Sequence, residues 1–241
     1  MEWAIISSIF ATSVLSGVFG MAGGLILMGV LTLFLPVPEA MVVHGLAQAA
    51  ANGFRFLMLA RHADWKGVSL YAAGALLSAG VLGIVSFVPS RTAVFLLLGI
   101  LPFAARIPGL PVLDFSRRPH ALGCGIAVNS VQIAAGVAGP VLDLFFVRSL
   151  AMTRYSVIAT KAATAVLSHV LKLAYFGGMA AAPSAQLVTW AVAAALAGTL
   201  AGSRILRSLS DASFRNYSRR IVLVIGAVYL VRAVALLIDQ G

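Results

Sequence analysis

Apolar residues run almost without pause along this 241-residue chain, in stretches at about 3–35, 40–60, 67–88, 92–105, 121–147, 155–177, 185–206 and 218–238. A run of about 20 apolar residues crosses a bilayer as a helix. The pattern therefore predicts membrane helices over nearly the whole length and leaves no stretch for a sizeable soluble domain. The alternating segments of about ten residues that mark an outer-membrane barrel are absent. Two runs, 3–35 and 121–147, are too long for a single span and are broken by glycine, in GVFGMAGGLIL at 17–27 and AAGVAGPVLDL at 134–144. Gly20, Gly23 and Gly24 fall on Gly136, Gly139 and Pro140 with a constant offset of 116. Broken backbone at membrane depth is tolerated only where it is buried in protein or lines a polar cavity. Matched breaks in two halves of a chain point to a transporter's substrate site.

The halves echo each other beyond those glycines. Each follows its broken segment with a helix carrying polar residues, then a loop leading to a tryptophan (Trp65, Trp190), a Gly/Ala-rich span, and a last span with a central glycine (Gly99, Gly226). A linker at 106–120, with Pro108, Pro111, Pro119 and three arginines, separates a first repeat at 1–105 from a second at 121–241. Gly74, Gly80, Gly83, Gly198 and Gly202 read as small residues that let helices approach closely.

Composition agrees: 61% hydrophobic and 10% charged residues, with a mean hydropathy of +1.03, lie far outside the range of a soluble domain. The net charge of +10 comes from arginines and lysines in short loops and implies no nucleic-acid partner. Those loops decide the topology instead. If all eight runs crossed, five loop cations would face eight, which is no asymmetry. If 3–35 and 121–147 are re-entrant hairpins, twelve fall on one side and Arg91 stands alone on the other, as the positive-inside rule expects. The fold expected is an all-α integral membrane protein of two inverted repeats. Each would be a glycine-broken re-entrant hairpin plus three transmembrane helices, with both termini periplasmic in a bacterial inner membrane. The N-terminus, MEWAIISSIF, lacks a basic n-region and reads as mature protein. The lone Cys124 excludes an internal disulfide or a cysteine metal cage, and no metal or other cofactor is implied.

The candidate chemistry lies on two helices. His44, Gln48, Asn52 and Arg55 share one face of the first, and Lys161, Thr164, Ser168 and Lys172 share one face of the second, with His169 beside it. An ionisable residue inside a span is a functional candidate by default. No acidic residue on either helix neutralises these cations, so the pathway suits a small anion. Helix N-termini at the glycine breaks, at Gly20, Gly23, Gly24, Gly136 and Gly139, add free N–H groups and a positive dipole end. Arg55 and Lys161 also read as snorkelling cations, and Arg232 as one. Gln48, Asn52 and Ser168 read equally as ties between helices, and His44 and His169 as packing residues or as proton carriers. Asn129, Gln132 and Asp143 flank or belong to the second hairpin. Asp143 reads as a site for a coupling proton or sodium ion, as a helix cap, or as the partner of a loop arginine. There is no GxSG with a partnering histidine, no HExxH and no phosphate-binding Gly-Lys loop, so an enzyme is not expected.

The segment GVFGMAGGLILMG, the helix starting near PEAMVVHG and the loop ending ADWKG together resemble the TauE/SafE sulfite exporter family over nearly the whole chain. The family's repeated glycine element appears as Ala22-Gly23-Gly24 and Ala138-Gly139-Pro140, and Met28 and Leu144 occupy its downstream proline positions. A further paired element appears as Val43-His44-Gly45 and Ala159-Thr160-Lys161. The resemblance implies secondary transport of a small anion such as sulfite, an organosulfonate or thiosulfate. Lys161, standing where the pattern has a small residue, points to an altered substrate or coupling. The expected partners are that anion, the lipid bilayer, a coupling proton or sodium ion, and a second copy of the chain in a homo-oligomer. The competing reading is a non-transporting membrane scaffold or assembly factor whose buried polar residues only hold helices together.

Overall fold

The computed structural model describes residues 2–19, 22–104, 107, 113–146, 149, 151–206 and 211–239, without the side chains of 206 and 211–219. Ten α-helices follow in order: α1 (Glu2–Phe19), α2 (Ala22–Phe34), α3 (Val37–Leu59), α4 (Trp65–Ile84), α5 (Arg91–Ala104), α6 (Arg118–Ala135), α7 (Gly139–Phe146), α8 (Arg154–Gly177), α9 (Ala185–Leu206) and α10 (Asp211–Ile238). No strand occurs among the described residues. The protein is an all-α membrane protein. Five helices, α1, α4, α8, α9 and α10, are long and apolar enough to cross a bilayer.

The two overlong runs divide where glycine breaks them, between Phe19 and Ala22 and between Ala135 and Gly139. Gly136 closes α6 in the left-handed conformation at φ +77°, which costs a residue with a Cβ about 1 kcal/mol or more. At about 1.5 Å per residue, the 18 residues of α1 reach about 27 Å, whereas the 13 of α2 and the 8 of α7 return only about 20 Å and 12 Å. Other helix starts are set by side-chain caps. Asp64 Oδ1 accepts from Gly67 N at 3.2 Å, Thr153 Oγ1 from Ser156 N at 3.2 Å and Ser184 Oγ from Leu187 N at 3.0 Å.

Four helix pairs carry most of the packing: α1 on α9, α4 on α6, α3 on α8 and α5 on α10. The first two run parallel. Trp3 meets Trp190 near the start of α1 and Gly17 meets Gly202 near its end, while Tyr71 and Ala75 of α4 lie against Gly125 and Asn129 of α6. The other two run antiparallel, as Gly45 against Leu173 and Gly99 against Leu230 show together with the bonds nearer the helix ends. Exchanging α1–α5 with α6–α10 in order maps this set of four pairs onto itself.

Small residues allow those approaches. A Cβ on Gly74 would run into the carbonyl oxygen of Leu122, one on Gly125 into that of Tyr71, and one on Gly202 into that of Val14. Gly198 does the same work against Phe10. Gly80 and Gly83, expected to share this role, face open space and do not. Their helix turns Leu76, Leu77 and Val81 outward, as α10 does Val224, Val228 and Val231, an apolar exterior suited to lipid.

These directions gather the loop cations. His62 stacks on Tyr155, Gly67 abuts Phe115 and Arg55 reaches Ser16 O, so Arg61, Lys66, Arg117, Arg118, Arg154, Arg204 and Arg220 share one end of the bundle. Arg91 sits at the other, donating to Leu35 O at 3.3 Å, at the same end as Glu2 and Glu39. Arg106, Arg148, Arg207 and the side chains of Arg215 and Arg219 lie outside the described residues.

The packing contrast is directly testable. Gly125→Ala is expected to destabilise the purified protein by about 2 kcal/mol through overpacking against the α4 backbone. Gly80→Ala is expected to be neutral or slightly stabilising, because alanine is the better helix former. Thermal unfolding of the two variants side by side checks both.

Candidate functional site

The two broken segments meet inside the bundle. The starting turn of α2 lies against α3, where His44 Nε2 donates to Gly24 O at 3.0 Å. The end of α6 lies against α8, where Lys172 Nζ donates to Gly136 O at 2.9 Å. The same ammonium donates to His44 Nδ1 at 2.8 Å. One chain of hydrogen bonds, Gly24 to His44 to Lys172 to Gly136, thus joins the first break to the second. A Cβ on Gly136 would overlap the Met28 side chain of α2, so the breaks are also in van der Waals contact.

Further hydrogen bonds extend the chain. Gln132, one turn before Gly136, donates its amide to Gly136 O at 2.9 Å and to His169 Nδ1 at 3.1 Å. The rings of His169 and His44 lie 5.6 Å apart. Because Gly24 O and Gly136 O can only accept, His44 carries its proton on Nε2 and Gln132 presents its NH₂ group; both histidine Nδ1 atoms are then acceptors. Lys172 is fully buried at 0% exposure, and no carboxylate among the described residues pairs with it. A lysine buried inside a membrane helix bundle without a carboxylate is a functional candidate by default. Gln48 adds an open donor: it is 6% exposed, its amide lies 3.5–3.7 Å from where a Gly24 Cβ would stand, and its Nε2 has no hydrogen-bond partner.

The family model for sulfite exporter TauE/SafE matches residues 5–230, a span that takes in both breaks and every residue of this network. The chain belongs to the TauE/SafE sulfite exporter family. Its members are membrane transporters and not enzymes. No curated protein and no solved structure matches the chain.

In this TauE/SafE chain the structure separates the residues that the sequence grouped by helix face. Gly24, His44, Gln48, Gly136 and Lys172 come together, with His169 beside them. Gly23 serves the hairpin itself: a Cβ there would strike Thr12 O and Ser16 of α1. Gly139 begins α7, and Gly20 lies outside the described residues. Asn52 donates to Gln48 O on its own helix at 2.9 Å, and Arg55 Nη2 to Ser16 O at 2.9 Å, nearer the basic end. Ser168 turns away to the Tyr71 hydroxyl of α4.

Two expectations are corrected here. Lys161 is not an unneutralised cation, because it forms an ion pair with Asp143 of α7. Asp143 accordingly engages that lysine and no loop arginine among the described residues, its short helix projecting it towards the first turns of α8. Gln132 was named from sequence only as a neighbour of the second break, yet it binds that break's carbonyl. The signal was its position four residues before Gly136, within reach of the orphan carbonyl at the helix end. A cleft of about 210 Å³ at the end away from the cationic loops is lined by Glu2, Glu39, Val42 and Val43 and by none of the network residues. Its acidic rim does not suit an anion.

The Lys161–Asp143 pair has a clear signature. Asp143→Asn and Lys161→Met should each lower the melting temperature more than the double variant does, with a coupling of about 1 kcal/mol for a half-buried pair. A double-mutant cycle by thermal unfolding measures it.

Proposed function

We propose that this chain is a secondary permease for a small sulfur-containing anion of the sulfite, organosulfonate or thiosulfate class. The two halves act as inverted repeats, each a glycine-broken hairpin plus three transmembrane helices, and alternating access exposes a site at the breaks to either face. The basic end of the bundle is cytoplasmic by the positive-inside rule, and both termini are periplasmic in a bacterial inner membrane. The observation that carries this reading is Lys172: a fully buried lysine with no carboxylate partner among the described residues, held between the two breaks. The unsatisfied Gln48 amide and the positive dipole ends of α2 and α7 supply further donors for an oxyanion. A scaffold has no need of such a charge, since an apolar side chain of similar volume at that position would hold the helices at lower cost.

Proteoliposomes loaded with the purified protein and offered radiolabelled sulfite, thiosulfate or isethionate test the proposal. At least one of these anions should accumulate or exchange. Lys172→Met should reduce that flux by about tenfold or more, equivalent to losing one charge-assisted contact of about 1.5–3 kcal/mol. Arg232→Met, on the exposed face of α10, should leave it unchanged. Lys172→Met transporting like the parent, or no flux of any of the three, would refute the assignment.

A further inference from the structure

The network that joins the breaks holds three basic groups and a single place for a charge. His44 Nδ1 accepts from Lys172 Nζ at 2.8 Å, and His169 Nδ1 accepts from Gln132 Nε2 at 3.1 Å. Each ring uses that nitrogen's lone pair, so both rings are neutral and only Lys172 can carry a proton beyond neutrality. Protonating His44 on Nδ1 would set two N–H donors against each other and two positive charges within hydrogen-bond distance, at a site sealed from water.

Among the described residues nothing else facing the cluster offers a negative charge. From α3 comes the Gln48 amide and from α6 that of Gln132, while Ser168 of α8 turns away to the Tyr71 hydroxyl of α4. The Tyr229 hydroxyl of α10 is spent on Leu25 O at 2.9 Å. Asp143 is engaged by Lys161, eleven residues and so about 16 Å along α8 from Lys172. Arg55 stands at the same remove from His44 along α3. Glu39, five residues before His44, projects about 140° around the helix from it, into the cleft it shares with Glu2.

A proton and an anion therefore each remove what opposes the other. We infer that the cluster binds one proton together with each anion, His44 taking it on Nδ1 while Lys172 releases that nitrogen and turns its donor to the anion. The chain is on this basis a proton–anion co-transporter. The inference rests on the permease reading above and adds its coupling ion and the group that carries it. The same step breaks the His44–Lys172 bond, the direct hydrogen-bonded bridge between the two breaks. Because binding is linked, the anion must bind more tightly as pH falls, by about tenfold per pH unit for one proton.

Thiosulfate is the probe, since it stays a dianion over the whole range and brings no proton of its own. Proteoliposomes containing an internal pH dye should acidify as thiosulfate enters, with about one proton per anion. Between about pH 8.5 and about pH 5.5 the thiosulfate Kd in detergent should fall continuously, and His44→Gln, which keeps a donor for Gly24 O, should flatten that slope and carry thiosulfate without protons. Thiosulfate flux through the wild-type protein with no proton movement overturns the coupling and leaves the permease standing. A His44→Gln variant that still moves about one proton per anion overturns the assignment of His44. Absence of any thiosulfate flux through the wild-type protein overturns both readings for this anion.

Discussion

A helix that stops inside a packed bundle leaves backbone groups with no water to satisfy them, and this chain breaks two of its helical runs in its interior. Gly136 O, at the end of α6, is met by the Lys172 and Gln132 side chains, and His44 adds a bond to Gly24 O in the first turn of α2, which ties that turn to α3. The donors come mainly from α3 and α8, the two polar-faced helices that follow the breaks and pack antiparallel on each other. The arrangement is reciprocal: the breaks need those side chains, and the side chains, buried and polar, need the breaks. The position of every other helix is compatible with keeping that contact closed.

The surrounding helices do this with little polar chemistry. α1 lies on α9 and α4 on α6 through glycines that bring backbone to backbone, and the few polar bonds between them, such as Asn129 Nδ2 to Ala75 O at 3.0 Å, add register. Without a hydrophobic drive in lipid, such close packing is the main source of helix association. It leaves the outer faces of α4 and α10 free to be largely apolar.

That pair and the Lys172 cluster show two ways of holding a lysine below the surface. Lys161 is neutralised by a carboxylate and sits half-exposed near the cationic end, so its charge is settled within the protein. Lys172 is enclosed, donates to a histidine and a carbonyl, and has no carboxylate partner among the described residues. Two lysines on one face of one helix thus have opposite surroundings.

Much of this was legible in the sequence. The length and apolarity of the runs determined an all-α membrane protein, because lipid admits little else, and the glycines at 20–24 and 136–139 marked both helix breaks, because glycine alone tolerates the left-handed turn of Gly136 cheaply. The eleven-residue spacing of His44 to Arg55 and of Lys161 to Lys172 put polar residues along one side of α3 and of α8. Helix periodicity says which side chains share a face, however, and not what that face meets. Only the tertiary structure brought Asp143 to Lys161, turned Ser168 to Tyr71, left Gly80 and Gly83 without a neighbour and set His44 against Lys172 across 128 positions of sequence. Partners that far apart are chosen by how whole helices pack, and no local pattern encodes that choice.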